Sequence, residues 1–458
     1  MPKKKTALTI EERLQQALVP AEEQPYEVQE NWVWVRLGSL YEVNPKNKAA
    51  DELDAAFIPM EKISAGMLSE YSYETQEWCK AKKGHTQFAD GDVAFAKISP
   101  CFENRKSMML NNLPNSIGGG TTELIILRNA SINQKYTFWT VSDERFIRGG
   151  VQTYSGTVGQ QRINMDYVRS YPIPIPPLSE QQRIVERIEE LFAKLDEAKE
   201  RLQEVADSFA VRKAAILHKA FTGELTKQWR LENGVSDESW EEKKFDDCIE
   251  KMQNGLSKRK GDEGNNVGVL RLANLGEDDL VLDDLRYILL TEKEEKNYLL
   301  SKDDVIMIRV NGSKDNVARQ IVINTEEKLA FCDHIIRIKY NPNIVARYVM
   351  YFSKTNAYRK YVEDNMVSSA GQNTISRKGL ASLVIPLPSI EEQHEIVRLI
   401  DELLARERAA QQAAEQALAS IDLMKKSILA RAFRGELGTN KASEASALEL
   451  LQQVLAEN

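Results

Sequence analysis

The stretch PIPPLSEQQRIV occupies residues 174–185, and PLPSIEEQHEIV occupies residues 386–397, which is 212 positions later (386 − 174). The correspondence continues without a gap to AFTGEL at residues 220–225 and AFRGEL at residues 432–437. A repeat of this size indicates a duplicated structural unit. The chain is therefore expected to contain two related halves, each ending in one copy of this stretch.

Each copy is expected to form one long helix. The prolines before it exclude an earlier start, and Gly223 and Gly435 are natural C-terminal stops. About 40 helical residues at a rise of 1.5 Å make a rod of roughly 60 Å, which is a spacer rather than a core. The predicted capping boxes are Ser179 with Gln182 and Ser389 with Glu392.

The apolar positions in these helices step by four and three residues, which is the pattern of a coiled coil. One seam is mostly bulky and the other is rich in alanine, so we expect the two helices to pair antiparallel, with Glu407 as the one polar seam residue. The alternative is two surface helices on separate cores. The residues predicted to pack the pair are Ile184, Ile188, Leu191, Leu195, Leu202 and Phe209 in the first copy, and Ile396, Ile400, Leu403 and Ile421 in the second.

The composition is that of a globular protein of two or more domains. The chain has 458 residues, of which 28% are charged and 42% hydrophobic. The formal net charge of −8 disfavours nucleic-acid binding on average, but local patches decide that question.

The cysteines and the apolar runs indicate a cytoplasmic protein. Cys79, Cys101, Cys248 and Cys332 are far apart, without zinc-ligand spacing or a disulfide framework. No apolar run approaches membrane-spanning length, and the basic run Lys3–Lys5 is not followed by the hydrophobic core of a signal peptide.

Before each repeated stretch, short alternating apolar segments predict a mixed α/β domain, so the fold class is α/β (α+β) with two such domains and a pseudo-twofold internal repeat. Short helices at Thr9–Val19 and Ala445–Leu455 are too short to be stable alone and are expected to dock on other elements, including each other. The predicted organisation is a helical extension at 1–30, a first domain at 31–175, a helix at 176–225, a polar linker at 226–239, a second domain at 240–385, a helix at 386–438 and a helical tail at 439–458.

No catalytic motif is recognisable. Gly118–Gly120 lacks the lysine and the following helix of a phosphate loop, and Asn44-Pro45-Lys46 fails the Asn/Asp-Pro-Pro-aromatic motif of amino-methyltransferases. The four histidines, His85, His218, His334 and His394, form no triad-like or metal-like grouping. We therefore predict no catalytic residue and no metal site, and an enzyme remains the alternative.

Basic and amide-rich loops are the chemistry that the two domains do carry. Such side chains contact DNA phosphates and base edges, although a charged loop is more often only a solvated loop. The candidates in the first domain are Lys80, Lys82, Lys83, Lys97, Ser99, Asn104, Arg105 and Lys106. In the second domain they are Lys258, Arg259, Lys260, Asn311, Ser313, Lys314 and Asn316.

The P-x-P-x-x-x-E-Q-x-x-I-V pattern at Pro174 and Pro386 resembles the conserved regions of type I restriction-modification specificity (S) subunits. The G-E-L helix ends, GELTKQWR at 223–230 and the Gly-Gln-x-x-Ile stretches at 159–163 and 371–375 share this resemblance, which spans residues 31–438. It implies two target-recognition domains that each read one half of a bipartite site in double-stranded DNA. It also implies two helices that set the gap between the half-sites.

The resemblance further implies the partners. Two modification subunits would carry S-adenosylmethionine and methylate adenine at N6, and restriction subunits would use ATP and Mg²⁺. The S subunit of that family has no active site, so no cofactor is expected in this chain, in agreement with the failed motif search.

The second domain resembles the family more closely than the first. Asn254 and Ser257 stand in a loop that resembles its glycine-and-lysine loop, Arg271 and Asn274 in its R-x-x-N strand, and Arg309 at the start of its polar strand-end loop RVNGSK. These five residues join the candidate DNA contacts. The first domain has no obvious R-x-x-N, and the terminal helices lie outside the family's common core.

The sequence thus predicts a non-catalytic DNA-recognition and scaffold subunit. One rival is a fused or orphan DNA methyltransferase or endonuclease polypeptide, and the missing cofactor motif and the whole-length repeat count against it. A second rival is a coiled-coil adaptor without a role on DNA.

Overall fold

The computed structural model describes residues 9–457, the side chain of residue 237 excepted. Residues 1–8, with the basic run Lys3–Lys5, lie outside the described part of the chain. Among the described helices, none combines the length and the apolar character that a membrane span requires.

The chain divides into two compact units. Unit 1 combines residues 1–201 with residues 417–458, and unit 2 comprises residues 202–416. Each unit therefore contains a part of both repeated helical stretches.

The longest helices lie in the repeated stretches, and the second stretch forms a single helix of 44 residues. In chain order the described α-helices are α1 Ile10–Ala17, α2 Leu37–Leu40, α3 Trp78–Ala81, α4 Gln134–Ser142, α5 Glu144–Val151, α6 Met165–Ser170, α7 Leu178–Asp207, α8 Phe209–Phe221, α9 Lys227–Asn233, α10 Glu292–Tyr298, α11 Ala346–Phe352, α12 Asn356–Asn365, α13 Arg377–Leu380, α14 Ile390–Phe433 and α15 Ala447–Glu457.

The strands are short, and one set of them precedes each long helical stretch. In chain order they are β1 Val33–Arg36, β2 Glu42–Val43, β3 Asp54–Ile58, β4 Glu74–Glu77, β5 Thr86–Ala89, β6 Val93–Ala96, β7 Ser107–Met109, β8 Ile117–Gly120, β9 Leu124–Arg128, β10 Pro172–Ile175, β11 Glu241–Lys244, β12 Ile249–Asn254, β13 Asn265–Leu270, β14 Arg286–Leu290, β15 Val305–Ile308, β16 Val310–Asn311, β17 Gln320–Val322, β18 Leu329–Phe331, β19 Ile335–Tyr340, β20 Val367–Ser369, β21 Gln372–Thr374 and β22 Val384–Leu387.

Unit 1 is built on two four-stranded sheets, with the strand orders β2-β9-β6-β7 and β4-β3-β8-β5, and a β1-β10 ribbon. Every residue of β6 is buried, as expected for an apolar central strand. In β8 a Cβ atom at Gly119 would lie 2.0 Å from the carbonyl oxygen of Ala81. The glycine-rich run therefore lets α3 pack directly on the strand backbone.

Unit 2 has a similar arrangement of sheets, but with different numbers of strands in them. Its sheets have the orders β12-β19-β15-β17, β14-β13-β18 and β16-β21-β20, and β11 pairs with β22. The β11-β22 pair, in which Glu242 lies opposite Pro386, corresponds to the β1-β10 pair, in which Trp34 lies opposite Pro174. The mixed α/β fold and the internal repeat predicted from the sequence are confirmed.

In unit 1, α7 runs antiparallel to the end of α14. Ile184 near the start of α7 shares a buried core with Leu429 and Phe433. Further along α7, Asp196 Oδ1 lies 2.6 Å from Lys425 Nζ. Because the partner's number falls as the α7 number rises, the two helices run in opposite directions.

In unit 2, the same relation holds between the end of the first stretch and the start of α14. Arg212 Nε lies 2.5 Å from Glu407 Oε2, and Thr226 Oγ1 donates a 2.6 Å hydrogen bond to Glu392 Oε1. Arg212 thus gives the one polar seam residue a charged partner. The predicted antiparallel pairing is confirmed in each unit.

The first copy is not one helix, contrary to the sequence prediction. α7 ends at Asp207 and α8 begins at Phe209, with Ser208 between them at φ −77° and ψ −5°. The Ser208 hydroxyl donates to the Val205 carbonyl at 3.1 Å, and Arg212 donates to the same oxygen at 3.2 Å. These side chains compete for an acceptor that a continuous helix would use.

The capping and packing predictions hold in part. Ser389 Oγ accepts from Glu392 N at 3.3 Å, but α7 begins one residue before Ser179, so Ser179 is no N-cap.

In the second seam, Leu404 is 1% exposed and is more buried than the predicted Leu403. Ile184, Ile188, Ile396, Ile400 and Ile421 are buried, whereas Leu191, Leu195, Leu202 and Phe209 are half-buried.

The terminal helices dock on each other within unit 1, as expected. Arg13 Nη1 donates to the Leu455 carbonyl at 3.2 Å, and Ala17, Leu451 and Leu455 are part of the unit 1 core. The expected linker at 226–239 is more ordered than a polar connection, because it contains α9 and buries Arg230.

Candidate nucleic-acid interface

In unit 2 the polar strand-end loop follows the fully buried strand β15. Asn311 Oδ1 accepts from the Ser313 backbone N–H at 2.8 Å, which closes a local turn. From β21, the buried Asn373 donates to the carbonyls of Asn311 and Gly312 at 3.3 and 2.9 Å. The loop backbone is thus held in place, while Ser313 and Lys314 are exposed. Lys314 Nζ lies 3.4 Å from Glu363 Oε1, in an ion pair open to solvent.

A second loop, residues 254–260, carries the basic cluster. At Gly255 a Cβ atom would lie 2.1 Å from the Cys332 carbonyl oxygen, so the loop backbone packs directly on that segment. Lys258 Nζ binds both carboxylate oxygens of Glu294, at 3.0 and 2.9 Å. Lys258 is therefore largely neutralised, whereas Arg259 and Lys260 are exposed and form no ion pair within residues 9–457.

A cavity of about 220 Å³ in unit 2 is lined by this loop and by three neighbouring strand ends. It brings together the predicted residues Ser257, Lys258, Arg259 and Arg271, and it adds Arg286 and His334. The Arg309 backbone N–H donates to the His334 carbonyl at 2.8 Å, so the strand-end loop adjoins the cavity. Arg271 is paired with Asp284 at 2.8 Å. Arg259 and Arg286 form no ion pair within residues 9–457, and arginine side chains around a concave surface suit anions such as phosphates.

The cavity wall also contains a group that the sequence search missed, because the three residues are consecutive rather than spaced. Potential ligand atoms of Cys332, Asp333 and His334 lie within 4.8 Å of one another. Burial raises the pKa of the Cys332 thiol, which disfavours the thiolate that a metal requires. The arginines on the same cavity also disfavour a cation, so the geometry favours an anion here.

Two of the predicted DNA contacts are instead structural residues. Asn274 is 1% exposed, and its amide holds the local turn by donating to the carbonyls of Val281 and Asp284 at 3.0 and 3.1 Å. In unit 1, the Arg105 side chain is 11% exposed, pairs with Glu144 and donates to the Ser142 carbonyl. These groups are committed to the fold, so both predictions are corrected.

The remaining unit 1 candidates belong to two different sheets. Lys80 lies in α3, and Lys82 and Lys83 follow that helix, which packs on the β4-β3-β8-β5 sheet. The other candidates lie in the β6–β7 connection. Lys80 and Lys82 pair with Glu77 and Asp51. Ser99 Oγ donates to Glu103 at 2.9 Å and Lys106 Nζ to the Met60 carbonyl at 2.9 Å, while Lys97 is half-buried.

Exposed candidates without a side-chain partner are the ones best able to meet a ligand. Two further candidates, Arg309 and Asn316, also have no side-chain partner in the described chain, but they are half-buried. Within residues 9–457 the exposed and unpartnered candidates are Lys83, Asn104, Asn254, Ser257, Arg259, Lys260 and Ser313.

In each unit a protruding turn that was not among the candidates adjoins a candidate loop, which is the strand-end loop in unit 2 and the β6–β7 connection in unit 1. In unit 2 the turn joins β20 to β21, and β21 pairs with β16. In unit 1 the turn at residues 155–162 contacts the β6–β7 connection through a 2.8 Å hydrogen bond from Ser99 N to the Gln161 carbonyl. Val158 at the tip of this turn is 95% exposed. The repeated Gly-Gln-x-x-Ile pattern was the sequence signal for both turns.

The described chain is a duplicated protein, with two mixed α/β units that each have an exposed polar loop and part of both long helical stretches. The family model described as "Type I restriction modification DNA specificity domain" matches residues 29–207 and, a second time, residues 237–417. These matches cover most of the chain, which therefore belongs to this family.

Curated relatives agree with this assignment. The chain is 36% identical over 295 residues to the StySPI type I restriction enzyme specificity subunit of Salmonella potsdam, across 62% of this chain and 63% of that protein. It is 40% identical over 182 residues to the EcoAI specificity subunit of Escherichia coli, across 39% of this chain and 31% of that protein. The chain thus spans less than two thirds of the length of these relatives.

Solved structures show the same fold. The HsdS subunit from Thermoanaerobacter tengcongensis matches with a TM-score of 0.68 at 20% identity, across 90% of this chain and 99% of that one. A structure from work on assembly and conformational transition of the type I R-M system matches with a TM-score of 0.62 at 20% identity, across 90% and 100% of the two chains.

Proposed function

We propose that the chain is the DNA sequence-specificity subunit of a type I restriction-modification complex, and that each unit reads one half of a bipartite target. The observation that carries this is the duplication: both units place a polar loop, with a turn beside it, at the end of a buried strand. A protein that reads one continuous DNA sequence would need only one such loop and turn. The domain boundaries expected from the sequence serve this role, with recognition at 31–175 and 240–385.

Within unit 2, the exposed cations and the strand-end loop have different tasks. Arg259, Lys260 and Lys314 contact phosphates, which positions the unit without sequence preference. Arg309 and Asn311 reach base edges and carry sequence choice. Arg286 extends the positive surface along the cavity, and Arg271 lies beside it, paired with Asp284.

The helices act as a spacer and a scaffold. Two modification subunits bind the chain and methylate adenine with their own S-adenosylmethionine, and restriction subunits bring ATP and Mg²⁺. The chain itself supplies no catalytic group and binds no cofactor, and the complex works in the cytoplasm.

Co-expression with the modification subunit, followed by sequencing of methylated DNA, tests this function. The expected result is methylation of one bipartite motif that neither protein methylates alone. Methyl transfer by the purified chain, or binding of labelled S-adenosylmethionine to it, would instead favour an orphan methyltransferase.

A further inference from the structure

Tyr26, in the segment before β1, occupies a defined seat in unit 1. Its hydroxyl donates to the Phe433 carbonyl at 3.2 Å, and its ring meets the Trp34 ring edge-on at 4.9 Å. The guanidinium groups of Arg145 and Arg434 lie 5.4 and 5.5 Å from its ring centre. Burial raises the pKa of Tyr26 to about 12, so the phenol remains a donor at neutral pH.

Unit 2 has a groove at the corresponding place, with a cavity of about 390 Å³. The correspondence follows from the 212-residue repeat and, for Trp34, from the matching strand pairs. All four residues that contact Tyr26 have counterparts that line this groove. In the order Phe433, Trp34, Arg145 and Arg434, the counterparts are Phe221, Glu242, Ala357 and Thr222.

The described part of unit 2 provides no ring for this seat. Tyr26 precedes Trp34 by eight residues, and the residue eight positions before Glu242 is Gly234, which ends α9 with φ +66°. A glycine has no side chain to fill the groove. The floor remains apolar, because Phe221, Phe352 and Leu217 line it.

The substitutions also change the charge of the seat. In unit 1 two guanidinium groups stack on the tyrosine ring, an arrangement that is favourable for a cation over an aromatic face. In unit 2 both positions have lost the cation, and the tryptophan position holds Glu242, which is exposed and forms no ion pair within residues 9–457. The groove is also lined by Lys354, but its ammonium group is paired with Asp278. An occupant that completes the seat must therefore bring an aromatic ring and its own positive charge.

We propose that this groove docks a segment of a partner protein in which an aromatic residue adjoins an arginine or lysine. The ring lies on Phe221 and Phe352, as Tyr26 lies on the end of α14 in unit 1. The neighbouring cation fills the space left at Ala357 and pairs with Glu242. This role is independent of DNA reading, because none of the candidate DNA contacts lines the groove.

The chain supplies the probe for a test. A fluorescent peptide of residues 19–30 with the change Glu27→Arg contains Tyr26 in its own local sequence beside a new cation. Fluorescence anisotropy with the full chain should show saturable binding. The Tyr26→Ala peptide should bind at least about tenfold more weakly, since a buried aromatic anchor is the type of residue that dominates such contacts.

Changes in the chain decide where the peptide binds. Ala357→Trp and, separately, Ala214→Trp fill the groove from exposed positions and should abolish binding, whereas Ala409→Trp on an exposed face of α14 should not. Glu242→Gln should weaken the arginine peptide about threefold and leave the Glu27 peptide unchanged. Circular dichroism melting confirms that each variant is folded.

Two results would overturn the proposal. One is absence of saturable binding at millimolar peptide, or binding that survives both groove-filling changes. The other is a concentration-dependent dimer of the chain that Ala357→Trp dissociates in light scattering, since a second copy would then be the occupant.

Discussion

Arg230 Nη1 lies 2.7 Å from Glu392 Oε1 in the interior of unit 2, where the two side chains are 7% and 0% exposed. The counterpart of this glutamate in unit 1, Glu180, is also fully buried, but it accepts 2.8 Å hydrogen bonds from Trp32 and Asn440. The repeated Glu-Gln pair at the helix start is thus a buried anchor in both units. Among the described residues, the glutamate of unit 2 has a charged partner within hydrogen-bond distance and that of unit 1 has neutral donors.

Loss of this arginine should therefore destabilise unit 2 strongly. Arg230→Met leaves the Glu392 carboxylate buried without its counter-charge, and we expect a loss of about 3–5 kcal/mol in the free energy of unfolding. Urea denaturation followed by circular dichroism measures it. Arg398→Met, which removes the ion pairs of an exposed arginine with Glu395 and Glu402, should have a much smaller effect, because solvent screens exposed pairs. Equal effects of the two changes would contradict this account of the anchor.

Lys260 should contribute to affinity without contributing to sequence choice. Lys260→Ala removes one exposed cation, and we expect weaker binding of the complex to all DNA sequences and a salt-dependence slope reduced by about one contact. Titration of target and non-target duplexes at several salt concentrations measures this. Lys302→Ala, at an exposed lysine outside the 254–260 loop, is the control and should leave the slope unchanged. A loss of affinity for the target alone would contradict a phosphate role.

Arg309 should affect sequence choice at one position of one half-site. Arg309→Ala removes a side chain that is half-buried beside the cavity, and we expect a cost of about 1–3 kcal/mol at the base it reads. Sequencing of DNA methylated by the variant complex should show one relaxed position in a single half-site and no change in the other. An unaltered motif at wild-type affinity would show that Arg309 does not read DNA.

The turn at residues 155–162 should loosen in acid. Arg162 donates to Glu123 at 2.9 and 2.7 Å, and this hydrogen bonding lowers the pKa of the Glu123 carboxyl. Because the folded pKa lies below the unfolded one, the stabilisation is complete above the unfolded pKa and is lost as the pH falls through the folded pKa.

Hydrogen exchange of the Ser155 amide, which donates to the Arg162 carbonyl at 3.1 Å, measures this loosening. After correction for intrinsic rates, its protection should fall between pH 6 and pH 3 relative to amides in β9. Glu123→Gln should show low protection at both pH values. A pH effect that persists in Glu123→Gln would assign the titration to another group.

Two features of the fold were predictable because they appear in the sequence as a repeat and as a regular spacing of apolar residues. The 212-residue offset identified two related units, and the heptad pattern identified two helices that pair antiparallel. The sequence did not predict the interruption at Ser208, since that depends on hydrogen bonds from Ser208 and Arg212 to one carbonyl. Such competition by polar side chains has no period in the sequence.

The candidate site was predictable by type of loop but not residue by residue. Asn274 and Arg105 have the chemistry of base readers, yet each is used to hold backbone in place, and only the tertiary contacts show this. Arg286 was missed because it lies on β14, outside the basic run, and meets the cavity only after the sheet has formed.

The central claim, that the helix pair sets the spacing of two half-sites, is tested most directly by lengthening both helices at contacting positions. Asp196 and Lys425 are in contact in unit 1, so a heptad inserted after Asp196 and another before Lys425 preserves the seam and adds roughly 10 Å of helix. At 3.4 Å per base pair this corresponds to about three base pairs. Sequencing of methylated DNA should show both half-sites unchanged and the gap between them longer by about that number. Altered half-site bases with an unchanged gap would show that the helices take part in reading rather than spacing.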